Sequence, residues 1–425
     1  MLDSKELADV ERYPRLAASD AQRAHRRRLW DSVQHAPAAR ALLGTAVGDA
    51  FGFGIEFQDA SWIRQRVVAF DAFPQSPVVL PRYARNSVRG FYSDDTEMTV
   101  ALMKALTATA GHSGGTSAVD RNAMLTAWRA EWECSKQRPP PAMPGEGRAG
   151  HGSILDAWEP GVVGGSAETE RLLAAMRAAQ AARADPGNAP PMRALPLAMV
   201  SDRGERERLA VENADATHPH PKARAASLGV VSAARFLIAE GGPSGRVIAE
   251  TIQSLENSSL PQADWGATVV HLRELDGLPD YHYFGARFAS MPRAVHALIC
   301  GPQPIPGMEQ VVVGDAPGTA GALEGLPADA MRTVGAVLYV LKWNRGPLDA
   351  LTAAIDLGGD VDSVAALCLG IVAAASPDGL RFGEEGGLPW SLLLELEGVE
   401  YLVKHALEFD ELFAHQQDLD HVQPV

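Results

Sequence analysis

The chain of 425 residues has only three cysteines, Cys134, Cys300 and Cys368, isolated and without CxxC spacing. That pattern suggests neither a disulfide framework nor a cysteine zinc site, and it fits a reducing, cytoplasmic setting. Basic residues are in deficit. The net charge of −15 argues against a general nucleic-acid partner, because a surface that tracks phosphate needs excess Lys and Arg. Long apolar runs are missing as well: residues 364–375, the most apolar stretch, fall far short of the about 20 residues that span a bilayer. The start, Met1-Leu2-Asp3-Ser4-Lys5-Glu6, puts charges where a signal peptide needs its apolar region, so neither export by that route nor a membrane partner is expected. Strand signal is scarce too, since Val, Ile and Thr rarely alternate with polar residues, and Val311–Val313 is the best strand candidate.

What remains is helix. Hydrophobic residues make up 46% of the chain, enough for a sizeable core. Ala- and Leu-rich segments with helical spacing recur at 40–56, 97–109, 121–133, 168–184, 222–239, 246–256, 328–342, 348–356, 362–374 and 391–413. Pro- and Gly-rich loops interrupt them at 136–152, 185–192 and 301–327. None of the three reads as an interdomain linker, because matched motifs lie on both sides of each. Residues 39–425 therefore read as one all-α domain. Residues 1–38 stand apart as an N-terminal extension, a flexible or partner-binding arm carrying the basic run Arg23-Ala24-His25-Arg26-Arg27-Arg28 and then Leu29-Trp30.

Two acidic clusters carry the chemistry. Tyr92-Ser93-Asp94-Asp95-Thr96-Glu97 opens the apolar segment Met98–Leu106. Ser and Asp suit a helix N-cap, but a cap needs one such side chain, whereas adjacent carboxylates repel unless a cation or proton compensates. The second cluster, Asp356-Leu357-Gly358-Gly359-Asp360-Val361-Asp362-Ser363, joins two apolar helices through a glycine pair suited to a sharp reversal. Hard oxygen ligands of this kind suit Mg²⁺, Mn²⁺ or Ca²⁺ rather than zinc. If both clusters enter one site, two ions are reasonable, because the oxygens exceed what one catalytic ion needs.

Three further motifs belong to the set. In Gly44-Thr45-Ala46-Val47-Gly48-Asp49-Ala50-Phe51-Gly52, glycines recur every four residues and give a helix one smooth face for close packing; Glu56 follows, placed to project into a cleft as acid or base. Pro186-Gly187-Asn188-Ala189-Pro190-Pro191-Met192-Arg193 is a loop entering a helix, where backbone N–H groups can hold an anion. Thr217-His218-Pro219-His220-Pro221 precedes another helix, with two His suited to a metal, a ligand or a turn.

GDAxGxxxEF at 48–57, SDDT at 93–96, GNxxxMR at 187–193, THPHP at 217–221 and GGDxDS at 358–363 together resemble the ADP-ribosylglycohydrolase family, in order and over about residues 39–375. The resemblance implies a compact orthogonal helical fold holding two divalent cations, Mg²⁺ or Mn²⁺. It implies Ser93, Asp94, Asp95, Asp360, Asp362 and Ser363 as metal ligands, with Glu56, Asp94, Asp95 and Asp360 as the catalytic set. Gly152, Ser153, Gly187, Asn188 and His218 fall where the family contacts ADP-ribose. The implied activity is hydrolysis of the C1″ glycosidic bond, with an ADP-ribosylated protein, first of all ADP-ribosyl-arginine, as substrate. An alternative is an immunity protein that covers an ADP-ribosyltransferase toxin with its N-terminal arm. One departure stands out: Ala189-Pro190-Pro191 replaces the small residues usual after Gly-Asn, removing two N–H donors from the loop.

Overall fold

A computed structural model describes residues 20–74, 89–110, 119–135, 167–281, 291–305, 323–343, 346–376 and 378–420. Gly152, Ser153, Val311–Val313, the loop 136–152, most of the loop 301–327 and residues 1–19 lie outside the described residues. Within them the helices are α1 (Asp20–Val33), α2 (Pro37–Phe53), α3 (Ala60–Arg66), α4 (Asp94–Ala110), α5 (Arg121–Ser135), α6 (Ala167–Ala181), α7 (Ala189–Met192), α8 (Arg203–Thr217) and α9 (Pro221–Ile238). The rest are α10 (Val247–Glu256), α11 (Gln262–Asp276), α12 (Arg293–Cys300), α13 (Ala330–Lys342), α14 (Pro347–Ile355), α15 (Val361–Ala375), α16 (Trp390–Leu394) and α17 (Val399–Asp420). Among the described residues there is no strand longer than an isolated bridge, and no helix is long and apolar enough to cross a membrane. The chain is all-α, as its periodicity predicts.

The centre is the pair α2 and α15, buried from Ala38 to Phe53 and from Val361 to Ala374. The glycine stripe makes this possible. A Cβ on Gly44 would sit 2.5 Å from the Leu369 carbonyl oxygen, and one on Gly48 or Gly52 would overlap the backbone of Ala365 or Asp362. Backbones this close leave no room for side chains between them, so the two helices are locked in register and Asp362 comes to rest beside the end of α2. One buried apolar cluster extends outward from the pair and reaches from Leu29 to Phe409.

The structure differs from the sequence expectation in the last helical segment. The expected helix 391–413 is broken into α16 and α17. Gly398 takes a φ of 60°, and the Glu397 N–H donates to the Gly90 carbonyl at 2.9 Å instead of continuing a helix. Within the segment 1–38 set apart by composition, residues 20–33 form a packed helix. Arg26, Leu29, Trp30 and Val33 are buried, and Arg26 donates to Glu400 at 3.0 Å and to the carbonyls of Leu394 and Leu396 at 2.7 and 2.8 Å. Trp30 meets Phe382 edge-on at 5.0 Å. The charge run is amphipathic: Leu29, Trp30 and Arg26 are buried against the domain, while Arg23 reaches Glu395 at 3.5 Å and Arg27 lies 5.2 Å from the centre of the Trp390 ring.

Candidate active site

The two acidic clusters converge. One carboxylate oxygen each from Asp49, Asp95 and Asp362 lies within 4.8 Å of the others, and the same holds for Glu56, Asp360 and Asp362. Asp362 is common to both groups. The first cluster reaches this point from the start of α4, the second from the start of α15, and Glu56 from the turn that ends α2.

Helix capping accounts for only part of either cluster: Ser93 Oγ accepts the Asp95 N–H at 3.3 Å, and Asp362 Oδ1 accepts the Ser363 N–H at 2.9 Å. The start of α4 is capped from outside: Asp49 of α2 accepts Ser93 N–H at 2.8 Å and Thr96 N–H at 2.9 Å, and takes the Thr96 hydroxyl at 2.6 Å. The carboxylates of Asp94 and Asp95 are therefore not needed for that cap. At α15 the N-cap Asp360 makes no side-chain cap bond; its Oδ2 accepts from the Asn188 amide at 2.6 Å. The same amide nitrogen reaches Ser363 Oγ and Thr333 Oγ1, each at 3.1 Å, tying the 187–188 loop to the second cluster.

The turn at Gly358-Gly359 is held by its neighbours. Both glycines have positive φ, 71° and 76°, and a Cβ on either would run into Ala60 or Leu326. Phe57 N–H donates to the Gly359 carbonyl at 2.8 Å, Gly359 N–H to Gln58 at 2.9 Å, and Asp360 N–H to Leu326 at 2.9 Å. These bonds set Asp360 next to the segment that carries Glu56.

The electrostatics call for positive charge. Asp49, Asp95, Asp360 and Asp362 are all at most 4% exposed. Burial, and then the mutual repulsion of these carboxylates with Asp94 and Glu56, pushes Asp95 and Asp362 well above the usual carboxylate range. Burial pushes Asp360 up to about 7, although the Asn188 bond opposes it, and Asp49 up to about 6 against its hydrogen bonds from Ser93 and Thr96. Among the described residues Asp95 Oδ1 is buried with no hydrogen-bond partner. A buried, oxygen-only donor set with an orphaned carboxylate oxygen fits a hard divalent cation and would be relieved by one. Asp49 belongs to the group by distance, but both its oxygens already accept hydrogen bonds, so we read it as the residue that places the first cluster rather than as a ligand.

The other expected residues within the described part of the chain fall around this centre. Ser93 Oγ donates to Asp95 Oδ2 at 3.2 Å. Glu56 and Asp94 are half-buried, at the edge of the buried group. Asp94 is in neither carboxylate triad but lies near enough to raise both Asp95 and Asp360. His218 packs against the same loop as Asn188, with its Nε2 2.9 Å from where a Cβ on Gly187 would stand. Pro190 and Pro191 occupy the first turn of the four-residue α7, where a missing N–H breaks no helical bond. Asp49, Arg193 and Thr333 were not among the expected site residues. Asp49 had a readable signal, a lone carboxylate inside a Gly/Ala helix about two turns before Glu56.

Comparison with known proteins gives the family and the fold. The family model for ADP-ribosylglycohydrolase matches residues 32–418. A solved structure described as an ADP-ribosylglycohydrolase-related protein complex shares the fold, with a TM-score of 0.54 and 19% identity over 90% of this chain and 99% of that one. No curated protein matches the sequence. With nearly its whole length matched, the chain belongs to the ADP-ribosylglycohydrolase family and is a hydrolase of glycosidic bonds.

Proposed function

We propose that this enzyme removes ADP-ribose from a modified acceptor, ADP-ribosyl-arginine on protein in the first instance, by hydrolysing the bond at C1″. The observation that carries the reading is the meeting of the two acidic clusters at Asp362, with Glu56 beside them. Ser93, Asp94, Asp95, Asp360, Asp362 and Ser363 would hold two divalent cations, Mg²⁺ or Mn²⁺, with Glu56 adjacent. Bound there, the cations supply orientation and polarisation of the ribose hydroxyls and of a water.

The chain's own residues do the rest. Glu56, half-buried and next to Asp360 and Asp362, manages the proton that moves when the glycosidic bond breaks. The carboxylates around it favour positive charge on the ribose ring, as an oxocarbenium-like transition state requires. Asn188 fixes Asp360 from the ligand loop, so loop position and carboxylate position are linked. The immunity reading relies on residues 23–30 as a docking arm; Arg26, Leu29 and Trp30 are buried in this chain and lend it no support.

The test is release of free ADP-ribose from an ADP-ribosyl-arginine protein, with Mg²⁺ or Mn²⁺ and with chelator, for wild type and Asp360→Asn. Cation-dependent release that the variant loses is the expected result. Release from serine-linked or polymeric substrate alone would replace the acceptor, and no release from any of them would overturn the reading.

A further inference from the structure

Arg193 is wholly buried, and its guanidinium lies 3.7 Å from the centre of the Trp128 ring. Among the described residues no carboxylate bonds to it. Its Nε donates to Asn213 Oδ1 at 2.8 Å; its Nη2 donates to the Asn213 carbonyl at 2.9 Å and to Thr217 Oγ1 at 2.8 Å. Both Nη2 protons are therefore spent, one of them on Thr217.

A threonine hydroxyl has one proton and two lone pairs. The bond from Arg193 can run only one way, because a guanidinium donates and never accepts. That leaves the proton of Thr217 for its other neighbour, His218 Nδ1, at 2.8 Å. In the reverse arrangement Nδ1–H would donate to Thr217, and the hydroxyl proton would be buried with no acceptor among the described residues. Unmade bonds in buried surroundings are costly, so the satisfied arrangement prevails. It puts the lone pair on Nδ1 and the proton on Nε2. Nε2 faces Gly187, the residue before Asn188, whose amide bonds Asp360.

We propose that Arg193 and Thr217 are positioning residues that hold His218 as an Nε2–H donor beside Gly187, where it binds an oxygen acceptor of the ADP-ribosyl group. This rests on the reading that the 187–188 loop lines the ADP-ribose site. The bare Cα of Gly187 leaves the donor open; a methyl group there would cover it. Burial, and next the charge of Arg193, also holds the imidazole neutral, with a pKa of about 3, so the donor is the neutral ring throughout the physiological range.

The experiment is a two-dimensional ¹H–¹⁵N spectrum of the histidine rings, which distinguishes the tautomers, with His218 assigned by its loss in His218→Gln. It is paired with titration by ADP-ribose. Wild type and Thr217→Ser, which keeps the hydroxyl, are expected as the Nε2–H tautomer. Thr217→Val is expected to shift toward Nδ1–H and to bind ADP-ribose about tenfold more weakly, the loss of one directed hydrogen bond. An Nδ1–H ring in the wild type, or an unchanged tautomer in Thr217→Val, overturns the relay without reference to any ligand. A shifted tautomer with unchanged affinity overturns the donor role of His218. Failure of the wild type to bind ADP-ribose at all overturns the site reading itself, while the tautomer result still decides the relay.

Discussion

Asp49 caps a helix to which it does not belong: from the middle of α2 it accepts the Ser93 and Thr96 N–H groups, at 2.8 and 2.9 Å, that open α4. One buried carboxylate thus ties the core pair to the first acidic cluster. Asp49→Asn turns an amide toward donors that now meet oxygen and disturbs the placement of Asp95 without removing a proposed ligand. Removal of groups that orient metal ligands commonly costs about 10–100-fold in metal affinity or activity. We expect Asp49→Asn to stay folded and to lose Mn²⁺ affinity and turnover within that range. Titration of Mn²⁺ followed by water-proton relaxation checks this, and wild-type affinity would show that the cap is structural only.

Much of the site was readable in the sequence because its chemistry is local. Asp94 and Asp95, and Asp360 and Asp362, declare themselves as carboxylates in excess of what one cap needs. The glycines at 44, 48 and 52 announce a close helix contact but not its partner, which is α15 and is fixed only by tertiary packing. The helix α8 shows no apolar stripe, because its buried face includes Glu207, Asn213, Asp215 and Thr217. Its start is set by Asp202, which accepts the Glu205 N–H at 2.7 Å. The helix α1 was obscured by its arginines: Arg26 is satisfied by Glu400 and by the carbonyls of Leu394 and Leu396, about 370 residues away, which no local pattern contains.

The glycine stripe gives a prediction of unusual sign. Alanine is favoured over glycine in a helix interior by about 1 kcal/mol, so Gly48→Ala would stabilise an isolated α2. In the folded chain the new methyl overlaps the Ala365 carbonyl, and overpacking of this kind costs about 1–3 kcal/mol. The variant is expected to melt at lower temperature than wild type. A raised melting temperature would mean that α2 and α15 are not in the contact described.

The packing of α1 makes Arg26 a stability residue. Arg26→Ala leaves two carbonyls and Glu400 without their donor, and hydrogen bonds from a charged group are worth about 1.5–3 kcal/mol. A loss of that size in urea unfolding is expected, with turnover per folded molecule unchanged, because Arg26 lies outside the acidic centre. If the variant were as stable as wild type, residues 20–33 would not be docked on the domain.

His271 ties stability to pH. It is 3% exposed, and burial, helped by the charge of Arg332, lowers its pKa from an ordinary 6.5 to about 3. The unfolded chain therefore takes up a proton below pH 6.5 that the folded chain refuses until about pH 3. The stability this ring contributes is complete above 6.5 and is lost as pH falls between those values. Integrated from pH 7 to pH 5, the loss is about 2 kcal/mol. Other buried histidines, His218 among them, steepen the same slope, so the informative quantity is a difference. Urea unfolding of wild type and His271→Gln at pH 7 and pH 5 is expected to show the variant losing about 2 kcal/mol less on acidification. Equal losses would mean that His271 is protonated in the folded chain at pH 5, which requires that water or an acidic group reach a ring that packs against Gly335.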